Sequence, residues 1–410
     1  MTVAMYAVKF QRYWKSLRST NTMFSKVRVL VIIPSGFCYG LQHISIDLFA
    51  HAQSRLETHF LITRWSNGDF EKMISKHGFS YTFSWMGMFS RKFDLRNLRM
   101  SLLSLVKLPQ LYIDFWRVCW RFKPAVIFFA NHHELILLTP MLWFTRRKVV
   151  CHMHDPSPPV RFQQWTFSFY SKRVDLFITI SNDVKNRLLK LGEVSAKTTV
   201  VRNGVCIPNV TLETRERFFQ NQFHWLEEVF IVGLTGQMTA TKGHEDLLEA
   251  FYLAYQHNPK LRLVIGGKPL YPFYDQLQNS VREKGLTKVV AFSGWLPESS
   301  LFYQNIDLFV LASRHDEGYG LVVAEAMAHA KPVVITASGG AMEIVEDGVS
   351  GFIVPKRSIK DLADKIVKLS QEPKRYRQLS QAARVRVQEK FSMAAAAHNF
   401  AEVIASTLNR

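Results

Sequence analysis

Short apolar runs rich in β-branched residues recur along the whole chain, and a helix-like stretch separates each from the next. In the first half they are Val27–Ile33, Phe60–Thr63, Ala125–Ala130, Lys148–His152, Asp175–Ile180 and Thr198–Val201. In the second half they are Val229–Leu234, Leu261–Ile265, Val289–Phe292, Asp307–Leu311, Pro332–Thr336 and Phe352–Val354. Continuous apolar runs mark strands buried on both faces, the condition of a parallel sheet covered by helices. The chain of 410 residues is 48% hydrophobic, enough for two cores. Two doubly wound α/β domains in series are expected.

The boundary is expected after the Asn203-Gly204 turn, in the polar stretch to about Glu228. The layout is a basic amphipathic segment over 1–26, a first domain over 27–205, a second over 206–390 and a closing helix over 391–410. From Leu362 onward the chain reads as helices.

Several classes are disfavoured. The four cysteines, Cys38, Cys119, Cys151 and Cys206, form no CxxC pair, so neither a disulfide framework nor a thiolate zinc site is expected, and the setting is expected to be reducing. No apolar run reaches the ~18 residues of a membrane span; Leu135–Phe144 is short and contains Pro140. Met1–Arg28 lacks the apolar core and cleavage site of a signal peptide, so a protein neither secreted nor integral is expected.

Charge is unevenly placed. Residues 1–205 hold 29 Lys and Arg against 11 Asp and Glu, an excess of 18, while residues 206–410 hold 23 against 22. Met1–Lys26 has no acidic residue and mixes bases with Tyr6, Phe10, Tyr13, Trp14 and Phe24. Arg91–Lys123 holds eight bases against Asp94 and Asp114, interleaved with Phe93, Tyr112, Phe115, Trp116 and Trp120. Basic, aromatic-rich amphipathic helices bind flat on anionic bilayers. A helix packing one face on the sheet explains Arg91–Lys123 equally well; the two segments with the charge split favour the membrane.

The chemistry concentrates in Glu317-Gly318-Tyr319-Gly320-Leu321-Val322-Val323-Ala324-Glu325, directly after the strand Asp307–Leu311. Gly318 and Gly320 allow a tight turn. The turn opens a helix expected over Gly320–Ala330, with Val322, Val323, Ala326 and Met327 toward the core. Its free N–H groups and dipole suit a pyrophosphate at the carboxyl end of a parallel strand. Glu325, about one and a half turns into the helix, could accept from ribose hydroxyls, and Glu317 could reach a sugar. Upstream, the strand Val232–Thr235 leads into Gly236-Gln237 and then Lys242-Gly243-His244, which presents a lysine to phosphate.

Glu317 and Glu325 with seven residues between them, and the surrounding EGYGLVVAEAMAHAKPVV, closely resemble the E-x7-E motif of the family 4, or group 1, glycosyltransferases. Gly339-Gly340, Glu343-Ile344-Val345, Gly348 and Gly351-Phe352 extend the likeness, as do Gly266-Gly267 and Ser293-Gly294-Trp295-Leu296-Pro297, similar to a loop that reads the nucleobase. Where the family has Gly-Arg, this chain has Gly236-Gln237, which hydrogen-bonds phosphate without neutralising it; Arg314 is a candidate to compensate. The first domain matches through Ile32-Ile33-Pro34-Ser35-Gly36, Ile180-Ser181 and Arg202-Asn203-Gly204-Val205, with Gly40 standing alone where a glycine pair often faces the donor phosphate. His154, in Met153-His154-Asp155-Pro156, resembles the family histidine beside the donor sugar. A buried structural histidine, or a His152–His154 metal pair, are the other readings of that site.

The resemblance implies a GT-B fold, two Rossmann-like domains facing across a cleft, with a helix near Met393–Leu408 packing back on the first. It implies retaining transfer of a sugar from a nucleotide-sugar, with His154, Glu317 and Lys242 catalytic. Gly40, Gly236, Gln237, Lys242, Gly318, Tyr319, Gly320 and Glu325 would bind the donor. No metal or other cofactor is implied, and Asp-x-Asp, the usual cation-holding pair of the other main transferase fold, is absent from the chain. The basic first half adds an anionic membrane surface and a glycan or lipid-linked acceptor, with a cytoplasmic, peripheral location and a part in polysaccharide or lipopolysaccharide assembly. Nucleic acid is not expected as partner. A catalytically silent membrane-docked subunit and a sugar-nucleotide epimerase are the competing readings.

Overall fold

The computed structural model describes residues 26–34, 40–64, 68–86, 95–156, 159–209, 218–225, 228–296 and 298–409, with only the backbone of 95–98 and 100. The basic segment over 1–25, Ser35-Gly36, Tyr39, Arg91–Asp94 and Pro297 lie outside them.

The first sheet holds β1 (Val27–Ile33), β2 (Leu56–Thr63), β3 (Ser80–Ser84), β4 (Val126–Phe129), β5 (Lys148–Met153), β6 (Leu176–Thr179) and β7 (Thr198–Val200). They lie in the order β3-β2-β1-β4-β5-β6-β7, and every pairing is parallel. The second holds β8 (Phe230–Thr235), β9 (Leu261–Gly266), β10 (Val290–Gly294), β11 (Leu308–Leu311), β12 (Val333–Thr336) and β13 (Phe352–Val354). Its order is β10-β9-β8-β11-β12-β13, again parallel throughout. Strand order reverses between β1 and β4 in one sheet and between β8 and β11 in the other. Such switch points open crevices at the carboxyl ends of strands.

The apolar runs become strands because both faces are covered: in β4, β6, β11 and β12 every residue is buried. Strand β3 was not expected. Its sequence SYTFS is half polar and sits at a sheet edge, so no apolar run marks it. Asp114 ties β3 down, accepting from Ser84 Oγ at 3.0 Å and from Gln110 Nε2 at 2.8 Å.

The basic stretch before Lys123 forms two helices, Leu95–Val106 and Leu108–Phe122. The second buries Leu111, Phe115, Val118 and Cys119 while Trp120 stays 76% exposed. It therefore packs one face on the sheet and keeps apolar side chains outside as well.

Two chain crossings join the domains side by side. Val205 donates to the Phe391 carbonyl and Met393 donates back to Val205, both at 2.9 Å. The helix Met393–Ser406 then enters the first domain's core. Phe400 meets Phe49 and Phe128 edge-on, with centroids 5.2 and 5.5 Å apart. A buried phenylalanine of this kind contributes about 1.5–3 kcal/mol, so this helix is fixed to the opposite domain from the chain that leads to it.

Candidate donor-binding and active site

The loops that leave β8 and β11 meet at the second domain's switch point. After β8 the chain runs through Gly236 and an exposed Gln237 into a short 3-10 turn, Ala240–Lys242. Gly243 follows at φ 68° and starts the helix His244–His257. A Cβ there would sit 1.8 Å from the Ala312 carbonyl oxygen, so only glycine lets this loop close on the end of β11. Arg314 N donates to Thr241 O at 2.9 Å and holds the two loops together.

This contact delivers Lys242 to Glu317. Its Nζ donates to both carboxylate oxygens at 2.8 Å, and Ser313 Oγ donates to Oε1. Gly318–Gly320 then turns the chain into the helix Leu321–Ala328, with Gly320 at φ 92°. The helix is shorter than Gly320–Ala330 at both ends. Val323 N and Ala324 N bond back to Gly320 O, and the start of this helix, with its positive dipole end, follows Glu317 by four residues.

Arg314 does not supply the charge missing at Gln237. Its guanidinium binds Asp246 at 3.0 and 2.6 Å and Glu245 at 2.7 Å. The two carboxylates at the start of the neighbouring helix outcompete a distant phosphate for it.

Glu325 lines a cavity of about 110 Å³ with Thr235, Gly294, Trp295, Phe302 and Val322. Val322, expected toward the core, packs against it while half-buried and also lines this cavity. Tyr303 Oη donates to Glu325 Oε2 at 2.6 Å. Burial raises the Glu325 pKa above its ordinary value, and the Tyr303 bond opposes that rise. Burial first, and then the Glu325 charge, raises the Tyr303 pKa far enough to keep the phenol a donor. Tyr303 escaped the sequence reading: nothing local marks it as a partner of a residue on another helix.

Tyr319 belongs to the turn whose amides are expected to bind the donor, and its side chain turns toward the other domain. Its side chain is 3% exposed, and its hydroxyl donates to the Asn203 carbonyl in the other domain at 2.6 Å. Only its backbone remains on the donor side.

From the first domain, β5 brings His154 across the cleft. A Cβ on Gly318 would lie 2.6 Å from the His154 carbonyl oxygen, so the two backbones are in close approach. His154 Nε2 and His152 Nδ1 are 3.2 Å apart, and burial pulls the His154 pKa down to about 4. The imidazole is therefore neutral at physiological pH. Among the described residues no group of three or more His, Cys, Asp or Glu is placed to hold a metal ion. Gly40 starts the helix Gly40–His51, and among the described residues nothing lies within 4 Å of where its Cβ would be. Asp47 of that helix adds to the upward shift at Glu325, which puts the helix within electrostatic reach of the cavity.

The lipopolysaccharide outer core galactosyltransferase WaaB in its apo form matches this architecture with TM-score 0.70 and 16% identity, over 93% of this chain and 99% of that one. Anabaena HepE in complex with UDP matches with TM-score 0.79 and 22% identity, over 93% of this chain and 100% of that one. Both likenesses speak for the two-domain GT-B fold. Among curated proteins, the capsular polysaccharide biosynthesis glycosyltransferase CapM of Staphylococcus aureus is 30% identical over 231 residues, 52% of this chain and 57% of that protein. The lipopolysaccharide 1,2-N-acetylglucosaminetransferase of Salmonella typhimurium is 23% identical over 271 residues, 62% of this chain and 66% of that protein. The chain thus spans between about half and two thirds of the length of these relatives. The model of the group 1 glycosyl transferases matches residues 215–386, and that of glycosyltransferase family 4 matches residues 50–207. With both domains matched by models of one family, the chain belongs to the group 1, family 4 glycosyltransferases.

Proposed function

We propose that this protein transfers a sugar, with retention of configuration, from a nucleoside-diphosphate sugar to a glycan or lipid-linked acceptor at an anionic membrane surface. The observation that carries the reading is the Lys242–Glu317 pair beside a helix N-terminus, with the His154 backbone in close approach to Gly318 from the other domain.

In this reading Lys242 and the amides of Gly318–Gly320 stabilise the departing diphosphate, an electrostatic effect aimed at the leaving group. Glu317 positions the sugar, Glu325 accepts from the ribose, and the neutral His154 orients the sugar from across the cleft. The closed cleft keeps water from acting as acceptor. No metal is assigned a role. HepE was solved with UDP, which favours a uridine diphosphate donor here. The roles of CapM and the Salmonella transferase favour a place in surface polysaccharide or lipopolysaccharide assembly.

The membrane part rests on the first domain. The helices Leu108–Phe122, His132–Leu142 and Arg161–Ser171 are neighbours. Trp120, Phe144, Phe162 and Trp165 on or beside them are 76%, 75%, 68% and 68% exposed, in a half of the chain with a charge excess of 18. Aromatic side chains among bases suit the interface of an anionic bilayer. No helix among the described residues is long and apolar enough to cross a membrane. A catalytically silent subunit is the second reading, favoured by the uncharged Gln237 and by Arg314 being committed to Glu245 and Asp246.

Calorimetric titration with UDP, GDP and ADP tests the donor site; selective binding that Glu325→Ala abolishes is expected, and no binding by the folded protein refutes it. Co-sedimentation with phosphatidylglycerol vesicles tests the surface. Binding should fall steeply as salt rises and weaken in a Phe162→Ser, Trp165→Ser double variant; absent or salt-independent binding refutes membrane docking.

A further inference from the structure

Glu343 lies on the short helix Ala341–Ile344 of the second domain, yet its carboxylate reaches into the first. It accepts from the backbone N–H of Asn182 at 2.6 Å and of Asp183 at 3.2 Å, and from Asn182 Nδ2 at 3.0 Å. Arg202 adds Nε at 3.2 Å and Nη2 at 2.9 Å. Asn182 and Asp183 open the helix Asn182–Leu189, so the carboxylate caps a positive helix end and pairs with a guanidinium while only 18% exposed. Charge-assisted bonds of this kind are the strong ones.

The same short helix rests on the catalytic turn. Gly340 N donates to the Glu317 carbonyl at 2.8 Å. A Cβ on Gly339 would lie 2.5 Å from that oxygen, and one on Gly340 would lie 2.3 Å from the Gly318 oxygen. The glycine pair is therefore packed against the turn that carries Glu317, with no room for a side chain between them. From the first domain, Ser181 Oγ donates to Gly318 O at 2.7 Å, beside the close approach of the His154 backbone. Behind the helix, Arg386 Nε donates to Ile344 O at 2.6 Å. Every link from Glu343 to Glu317 is backbone or a short side chain, so a shift at one end is transmitted to the other.

We propose that Glu343 is a positioning residue for transfer. It locks the first domain onto the Glu317–Gly318 turn at the register in which His154 and Glu317 face the same donor sugar. Its kinetic part rests on the donor-site reading above; its structural part does not.

Small-angle X-ray scattering of the full chain, with and without UDP, tests the structural part on Glu343→Ala and Glu343→Gln. Turnover of UDP-glucose with water tests the kinetic part. In that reaction the bond from the anomeric carbon to the diphosphate oxygen breaks, the water oxygen replaces it, and the proton leaves on UDP. Glu343→Ala should enlarge the radius of gyration and lower kcat about ten- to hundredfold. KM and UDP affinity should stay within about twofold, because on that reading Lys242, the Gly318–Gly320 amides and Glu325, which would hold UDP, all belong to the second domain. Glu343→Gln keeps an oxygen for the Asn182 and Asp183 N–H groups and should recover part of both effects; it also carries the test if the alanine variant does not fold. Unchanged scattering overturns the lock. An unchanged kcat, or UDP affinity lost together with kcat, overturns the positioning role. A wild type that neither binds UDP nor turns over UDP-glucose refutes the donor reading, and the scattering then decides the lock alone.

Discussion

Lys242 and Glu317 act as one hydrogen-bonded unit, with Nζ 2.8 Å from each carboxylate oxygen although 75 residues separate them. The cation suited to a diphosphate is thus held by the carboxylate suited to a sugar. Removing either leaves the other without its partner in a half-buried corner. Lys242→Ala and Glu317→Ala should each lower donor turnover by about 10²–10³-fold. The double variant should lose little more than either single one. Additive losses in a double-mutant cycle on kcat/KM would mean that the two act independently.

Glu325 depends on Tyr303. Burial already raises the Glu325 pKa and the Tyr303 bond holds it down, so Tyr303→Phe should raise it further. A protonated Glu325 cannot accept from ribose as a carboxylate does. UDP affinity should therefore fall as pH drops from 7.5 toward the ordinary 4.5, and the fall should begin at higher pH in Tyr303→Phe. Titration calorimetry across that range decides it; parallel profiles in the two proteins would exclude the coupling.

Tyr319 is a strut between domains. Tyr319→Phe removes a buried hydroxyl that donates to Asn203 O at 2.6 Å and should cost about 1 kcal/mol of stability. UDP affinity should not change. A loss of affinity without a loss of stability in urea unfolding would return the side chain to the donor site.

Buried histidines make the fold sensitive to acid. Burial lowers the pKa of His154 and of His244 to about 4 each, from an ordinary 6.5. The unfolded chain binds more protons between those values, so their contribution is present above 6.5 and is lost as pH falls toward 4. Each histidine is worth about 2 kcal/mol at pH 5. Urea unfolding at pH 7 and pH 5 should show that loss, and His244→Gln should shrink it by one histidine's share. Glu325, with a raised pKa, works in the opposite sense.

The strand–helix alternation, the two domains and the placement of Glu317, Gly318 and Glu325 about a strand end and a helix start were legible in the sequence. Apolar runs, turn glycines and helix starts act over a few neighbouring residues, and those residues are written side by side. Strand β3 was missed because an edge strand needs only one apolar face. What the sequence left open lies between loops: Tyr303 on Glu325, Arg314 on Asp246 in place of a phosphate, Tyr319 on Asn203, and Glu343 on Asn182, 161 residues away. Such pairs depend on the order of strands in each sheet and on how two domains meet. Tertiary structure decides these because sheet order sets which strand ends lie together, and the crossing at Val205 and Met393 sets which loops face across the cleft.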